Sequence, residues 1–241
     1  MEEKTTSTFS SIVCFHQTGT HHIQEGSDCE DVSVVIEQAD FRFWGLADGQ
    51  SEKEYCKTGG RAVLYAVAAH LQKKGLHTLA QHGYLDEVQY ELIRVIRDSL
   101  AALSKEYRAD PSEFASTLLA FAQDPVTQEY IAVHLGDGNI LALDQDNHIS
   151  VLSGAENGIT HEYTWLTTSA NSMQHLRIQQ GTTTDIKRLV MVTDGATVLC
   201  CGCNIVAHEN ILTAADACSR IPGMIRQSAP EDDASCIIVD F

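Results

Sequence analysis

Positive charge is what this sequence has least of. Lys and Arg number 16 against 33 Asp and Glu, a formal net charge of −17 at pH 7. That balance excludes nucleic acid and anionic membrane as default partners, because both are polyanions. No local basic patch is visible along the chain to offset it. No apolar window approaches the length of a membrane span. The opening residues, MEEKTTSTFSSIV, have no basic n-region and no long apolar run. No secretory signal is therefore expected, and the expected compartment is the cytoplasm. Proline is scarce, at four. No linker, low-complexity stretch or internal repeat divides the chain, so residues 1–241 are expected to form a single domain.

A disulfide framework is also missing. The eight cysteines (Cys14, Cys29, Cys56, Cys200, Cys201, Cys203, Cys218 and Cys236) are scattered irregularly. Without a secretory signal, free thiols are the expected state. Cys200-Cys201-Gly202-Cys203 contains one C-x-x-C, with His208 and Cys218 as conceivable zinc partners. No second C-x-x-C exists, so buried thiols acting as small hydrophobes are the simpler reading.

What is present is a core-forming chain, 44% hydrophobic. Val32–Ile36 and Phe41–Leu46 flank a turn-like Glu37–Asp40 and read as a hairpin. Helices are expected over about Thr58–Lys74 and Asp86–Tyr107, where apolar residues recur at helical spacing. Short strand-like runs follow: Ser116–Ala122, Glu129–Leu135, Ile140–Leu143, Ile149–Leu152, Tyr163–Thr168 and Leu189–Thr193, separated by Asp-, Gly- and Pro-containing turns. Glu209–Arg220 is weakly helical, and Cys236–Phe241 closes the chain as a strand. Trp44 and Trp165 sit in strand-like runs and are expected in the core. His70, His77 and His82 show no metal-ligand spacing. Meander-like strands with helices grouped between β blocks give an α+β class, with antiparallel sheets covered by helices.

The distinctive pattern is acidic. Phe41–Gln50, FRFWGLADGQ, and Arg188–Leu199, RLVMVTDGATVL, each end an apolar run in Asp-Gly, at Asp48-Gly49 and Asp194-Gly195. Asp-Gly is a hairpin signal, but neither pair is followed by an alternating return strand. Glycine there lets backbone approach a bound ion. Glu30-Asp31 precedes VSVVI, and Glu231-Asp232-Asp233 precedes the final apolar run. Asp137 lies in a Gly-Asp-Gly turn. Loop acids are often merely solvated. Carboxylates gathered at one place, however, repel unless protonated or bound to cations. Oxygen-rich clusters suit Mg²⁺ or Mn²⁺, and two such ions can activate water and clamp a phosphoryl group.

These residues resemble the type 2C metal-dependent serine/threonine protein phosphatases, in particular their compact bacterial branch. The resemblance rests on ordered matches: a His-containing turn (His22) leading to Cys29-Glu30-Asp31; Ala47-Asp48-Gly49; Ser116-Thr117-Leu118; Gly136-Asp137-Gly138; His161–Thr167; Thr193-Asp194-Gly195; and Asp232-Asp233-Ala234-Ser235. They span about Gly19 to Phe241. The resemblance implies two packed antiparallel sheets flanked by helices, a four-layer α/β/β/α sandwich. It also implies a binuclear Mg²⁺ or Mn²⁺ centre at one edge of the sandwich. Carried over, Asp48 would bridge both ions, and Gly49 would offer its carbonyl to one. Asp194 and Asp232 would hold the other ion. Glu30 or Asp31 would act directly or through water, and Asp137 would match a third, weaker site. A metal-bridging water would attack phosphorus in line, with no covalent intermediate. The implied partner is a phosphorylated protein, such as the product of a serine/threonine kinase.

The chain departs from that family in three places. No Arg precedes Arg42, although many members place one shortly before Glu-Asp to grip phosphate. His22 is either its replacement or a structural turn residue. The Gly-rich run after Ala-Asp-Gly is replaced by QSEKEYCKTGG, and the Asn-Glu-Thr segment survives only as His161-Glu162-Tyr163. These departures keep a second reading open: a catalytically weak relative acting as a phosphoprotein-binding regulatory module. Readings outside the family are a thiol or zinc protein built on Cys200–Cys203, and a two-metal nucleic-acid hydrolase, which the net charge disfavours.

Overall fold

The long apolar runs without polar alternation are strands buried on both faces. A computed structural model describes residues 11–81, 85–156, 164–196 and 209–241. The first half runs β1 (Ser11–Gln17), α1 (Thr20–Glu25), β2 (Val32–Glu37), β3 (Arg42–Ala47), α2 (Cys56–Lys74), α3 (Leu76–Gln81) and α4 (Leu85–Tyr107). A 3₁₀ turn (Pro111–Phe114) leads to β4 (Leu118–Gln123), β5 (Glu129–Leu135), β6 (Asn139–Asp144) and β7 (Ile149–Ser153). Then come α5 (Ser172–His175), β8 (Arg177–Thr182), β9 (Ile186–Val192), a 3₁₀ turn (Asp194–Ala196), α6 (Glu209–Leu212), α7 (Ala217–Ser228) and β10 (Ala234–Asp240).

The strands form two five-stranded antiparallel sheets, ordered β1-β10-β9-β6-β7 and β2-β3-β4-β5-β8. Trp44, Leu46, Leu119 and Phe121 of the second sheet pack against Ile140, Leu189, Met191 and Ile237 of the first. The opposite face of the second sheet carries α2 and α4 through Phe43, Val63, Leu64, Leu92, Ile96 and Leu118. The opposite face of the first carries α6 and α7 through Val190, Leu212, Ile221, Ile225 and Ile238. The result is the α+β class with helices on both outer faces. The final run CIIV illustrates the pattern: Cys236 and Ile238 face α7, while Ile237 and Val239 face the other sheet. Among the described residues, no helix is long and apolar enough to cross a membrane.

Several elements differ from the sequence reading. β1 and β8 are edge strands whose mixed residues are half-buried or exposed, so their patterns carry little signal. The short α1 is held from outside: Thr20 and His21 N–H donate to the Pro230 and Glu231 carbonyls, and Gly26 closes it in the left-handed region at φ 74°. Ser116 and Thr117 precede β4 rather than begin it. The described part of Tyr163–Thr168 is a loop, not a strand. It is pinned where Thr167 N–H donates to the Ser116 carbonyl at 2.9 Å. Trp165 is accordingly half-buried, stacked at 3.7 Å on the His175 ring, whereas Trp44 is fully buried between the sheets. Glu209–Arg220 divides into α6 and the start of α7. Cys200, Cys201, Cys203, His208, His161, Glu162 and Tyr163 lie outside the described residues, as does the side chain of His82.

Candidate metal centre

Strand register brings the acidic residues together. Val32 pairs with Ala47, so Glu30-Asp31 before β2 lies beside Asp48 after β3. Val192 pairs with both Cys236 and Asn139. Asp194 after β9 therefore meets Asp232-Asp233 before β10 and Asp137 before β6. The Gly136–Gly138 turn is where the chain passes from one sheet to the other, with Gly136 at φ 119°. Five acidic segments thus converge on one edge of the sandwich.

Glycine after each Asp has a specific reason here. A Cβ on Gly195 would fall 2.0 Å from the Asp233 carbonyl oxygen, and one on Gly49 would fall 2.9 Å from that of Glu30. Each Asp-Gly lets a second acidic loop cross at backbone contact. Hydrogen bonds fix the crossings. Asp48 N–H donates to Thr117 Oγ1 at 2.9 Å, and Thr117 N–H returns one to the Asp48 carbonyl at 2.8 Å. Thr193 Oγ1 donates to Asp31 Oδ2 at 3.0 Å and accepts from Ser235 N–H at 2.9 Å.

The cleft at this edge has a volume of about 380 Å³ and includes Asp48, Gly49, Asp137, Asp194 and Asp232 in its lining. Carboxylate oxygens of Asp48, Asp137 and Asp194 all lie within 4.8 Å of one another. Asp31 is buried behind them, and burial pushes its carboxyl up to about 7, with Asp233 and Asp194 adding repulsion. Burial likewise raises Asp194 to about 6 and lifts Asp48 well above the ordinary range, where Asp31, Asp194 and Asp232 add to the effect. Burial raises Asp137 and Glu30 too. Such mutual repulsion is the electrostatic mark of a cation site. A second observation agrees. Asp31 Oδ1, Glu30 Oε2 and Asp194 Oδ1 are buried without a hydrogen-bond partner. Unsatisfied buried carboxylate oxygens are costly unless a cation completes them, so the donor set fits hard divalent ions.

His22 does not line this cleft. It is buried in α1, with Nδ1 2.9 Å from Asp233 Oδ2 and Nε2 3.7 Å from Glu30 Oε2. Burial lowers its pKa, but these carboxylates outweigh that and raise it overall. It lines instead an adjoining pocket that shares Ser51 and Asp232 with the cleft. The residue the sequence reading passed over is Asp233, which is buried and accepts from Gly19 N–H at 2.8 Å and Glu30 N–H at 2.5 Å. It ties the Glu30-Asp31 loop to the Asp232 loop. Its only sequence signal is adjacency to Asp232. Asp233→Ala is expected to weaken Mn²⁺ binding about 10–100-fold, the range seen when a support behind a metal ligand is lost. Titration calorimetry checks this; unchanged affinity would show that the loops hold themselves. Thr164 was also missed: its hydroxyl donates to Asp137 Oδ2.

Two other histidines lie in unrelated pairs, His70 with Glu91 and His77 with Glu129. Cys218 is a free thiol, and it joins no metal-ligating cluster among the described residues.

The family model described as Protein phosphatase 2C matches residues 18–233. No curated protein sequence matches the chain. Among solved structures it is similar to a bacterial serine phosphatase, at 12% identity and TM-score 0.70, covering 96% of this chain and 98% of that one. It is also similar to the serine/threonine phosphatase Stp1 from Staphylococcus aureus, at 14% identity and TM-score 0.67, covering 97% and 96%. A third is RsbX in complex with magnesium, at 10% identity and TM-score 0.61, covering 96% and 94%. At these identities the likeness is one of fold.

Proposed function

The chain belongs to the protein phosphatase 2C family of metal-dependent serine/threonine protein phosphatases, and from that premise we propose that residues 1–241 form one domain that hydrolyses phosphoserine and phosphothreonine in proteins by direct in-line attack of water. Two Mg²⁺ or Mn²⁺ ions are the proposed cofactors, with Asp137 as ligand of a third. Magnesium in the RsbX structure supports that choice. Asp48 would bridge the two ions, Gly49 would give its carbonyl to one, and Asp194 and Asp232 would hold the other. Glu30 or Asp31 would act on the ions directly or through water. Bound, such ions lower the pKa of a coordinated water and neutralise phosphoryl oxygens.

One observation carries this reading: among the described residues the cleft lining combines four carboxylates with no Lys, Arg or His. A phosphate dianion would be repelled there unless divalent ions reversed the field. The chain's own groups then orient the ester. The hydroxyls of Ser51, Thr168 and Ser169 line the same cleft and can donate to phosphoryl oxygens. No Cys or Ser nucleophile is needed.

The test is para-nitrophenyl phosphate hydrolysis with Mn²⁺, with Mg²⁺ and with EDTA. Turnover with either ion and none in EDTA is expected. The lack of cations among the described residues of the cleft lining and the engagement of His22 by Asp233 also favour a second reading, a weak relative that binds phosphoprotein as a regulatory module. Phosphopeptide binding with metal but no turnover would select it and reject the first.

A further inference from the structure

Two cations lie beside the loop that carries Glu30 and Asp31. Lys57, Arg61 and Tyr65 succeed one another by four residues along one face of α2. With Thr58, Ala62 and Tyr107 at the end of α4, they line a groove of about 480 Å³. Both tyrosines are substantially open to solvent, at 54% and 41%. Sequence reading finds no basic patch because Tyr107 is remote and the cations are interrupted; the helix face assembles one.

Acids outnumber bases about two to one here. Yet among the described residues neither Lys57 nor Arg61 has a carboxylate within ion-pair reach. Lys57 Nζ instead donates to the Cys29 carbonyl at 2.7 Å. Cys29 immediately precedes Glu30-Asp31, so the groove abuts the loop that enters the metal centre. Its chemistry is specific. A guanidinium takes a carboxylate through paired N–H donors, an ammonium adds a point charge, and tyrosines offer hydroxyls and apolar faces.

We infer that this groove docks a carboxylate-rich segment flanking the phosphorylated residue of the protein substrate, an inference that rests on the phosphatase reading above. Among the described residues the cleft lining holds no cationic side chain, so recognition beyond the phosphate draws on cations outside that lining. An extended segment advances about 3.3 Å per residue, so residues flanking the phosphorylated one reach the surface beyond the cleft. The groove's positive charge in a negative molecule also favours the landing of an acidic segment there.

The experiment uses the Mn²⁺-loaded protein and two phosphopeptides of equal length, one with Glu/Asp flanks and one with Gln/Asn flanks. Wild type is expected to show about tenfold higher kcat/KM for the acidic peptide, shrinking as salt rises. Arg61→Glu, at an exposed position, should abolish that preference while leaving para-nitrophenyl phosphate and the neutral peptide unchanged. Equal kcat/KM for both peptides in wild type, or an equal loss on both in Arg61→Glu, would overturn the inference. Absence of para-nitrophenyl phosphate turnover would instead reject the phosphatase reading. Fluorescence anisotropy of the labelled acidic phosphopeptide then decides the groove: binding lost in Arg61→Glu supports it, and equal binding rejects it.

Discussion

Asp48→Asn is expected to lower metal-dependent turnover by about 10²–10³-fold and, in the absence of metal, to make the protein more stable. The first effect follows from position. Asp48 lies within 4.8 Å of Asp137 and Asp194 and is the proposed bridge between ions. An amide keeps the shape but offers one neutral oxygen in place of a carboxylate. Loss of a mere support behind a metal ligand costs about 10–100-fold in affinity or activity, and loss of a preorganised group at the reacting centre costs about 10²–10³ in kcat. The second effect follows from charge. Burial, then Asp31, Asp194 and Asp232, all disfavour the ionised Asp48. Removing that charge relieves the empty cluster by on the order of 1 kcal/mol, about 2–4 °C in melting temperature for a chain of this size. Para-nitrophenyl phosphate kinetics with Mn²⁺, together with thermal melts in EDTA, check both parts. Retained activity above a tenth of wild type, or a lower melting temperature in EDTA, would contradict the assignment.

The residues of that cluster were readable in the sequence because each interrupts an uninterrupted apolar run. Asp48 follows RFWGLA and Asp194 follows IKRLVMV-Thr, strands buried on both faces where an ionised group has no other reason to sit. Which loops would meet was less readable, since it depends on register: Val32 opposite Ala47, and Val192 opposite both Cys236 and Asn139. Edge strands β1 and β8 escaped notice because half their surface is open and their residues do not alternate cleanly. The Trp165 segment misled because an aromatic run can be a strand or a loop, and only the bond from Thr167 to Ser116 decides between them. Asp233 was named beside Asp232, but its role was unreadable for a related reason. Its partners Gly19, His22 and Glu30 are more than 200 residues away in the chain, so nothing local distinguishes it from a solvated acid. The glycines were legible as close-approach positions, but the approaching group is another acidic loop's backbone.

Lowering the pH from 7.5 to 5.5 is expected to weaken Mn²⁺ binding by about 10²-fold. The same change should stabilise the metal-free protein. Asp31 is pushed up to about 7 and Asp194 to about 6, against an ordinary value of 3.8. Between the ordinary and the raised values, the native state holds protons that the unfolded chain has released. The stability slope with pH is then negative, so this contribution is complete below about pH 3.8 and is lost as pH rises through about 7. Metal reverses the sign. An ion entering the cluster must displace those protons, and each costs about tenfold per pH unit below its pKa. Across this window Asp31 contributes about 25-fold and Asp194 about fourfold by that relation, and Asp48 shifts in the same direction. Calorimetric titration at the two pH values measures the affinity, and melts with Mn²⁺ and with EDTA measure the gap between them. That gap should widen as pH rises. A pH-independent affinity would mean that the buried carboxylates are not the ligands. If they are, the acid side of the activity profile reports metal occupancy rather than proton transfer. Activity lost at pH 5.5 should then return when Mn²⁺ is raised by about the factor its affinity has fallen.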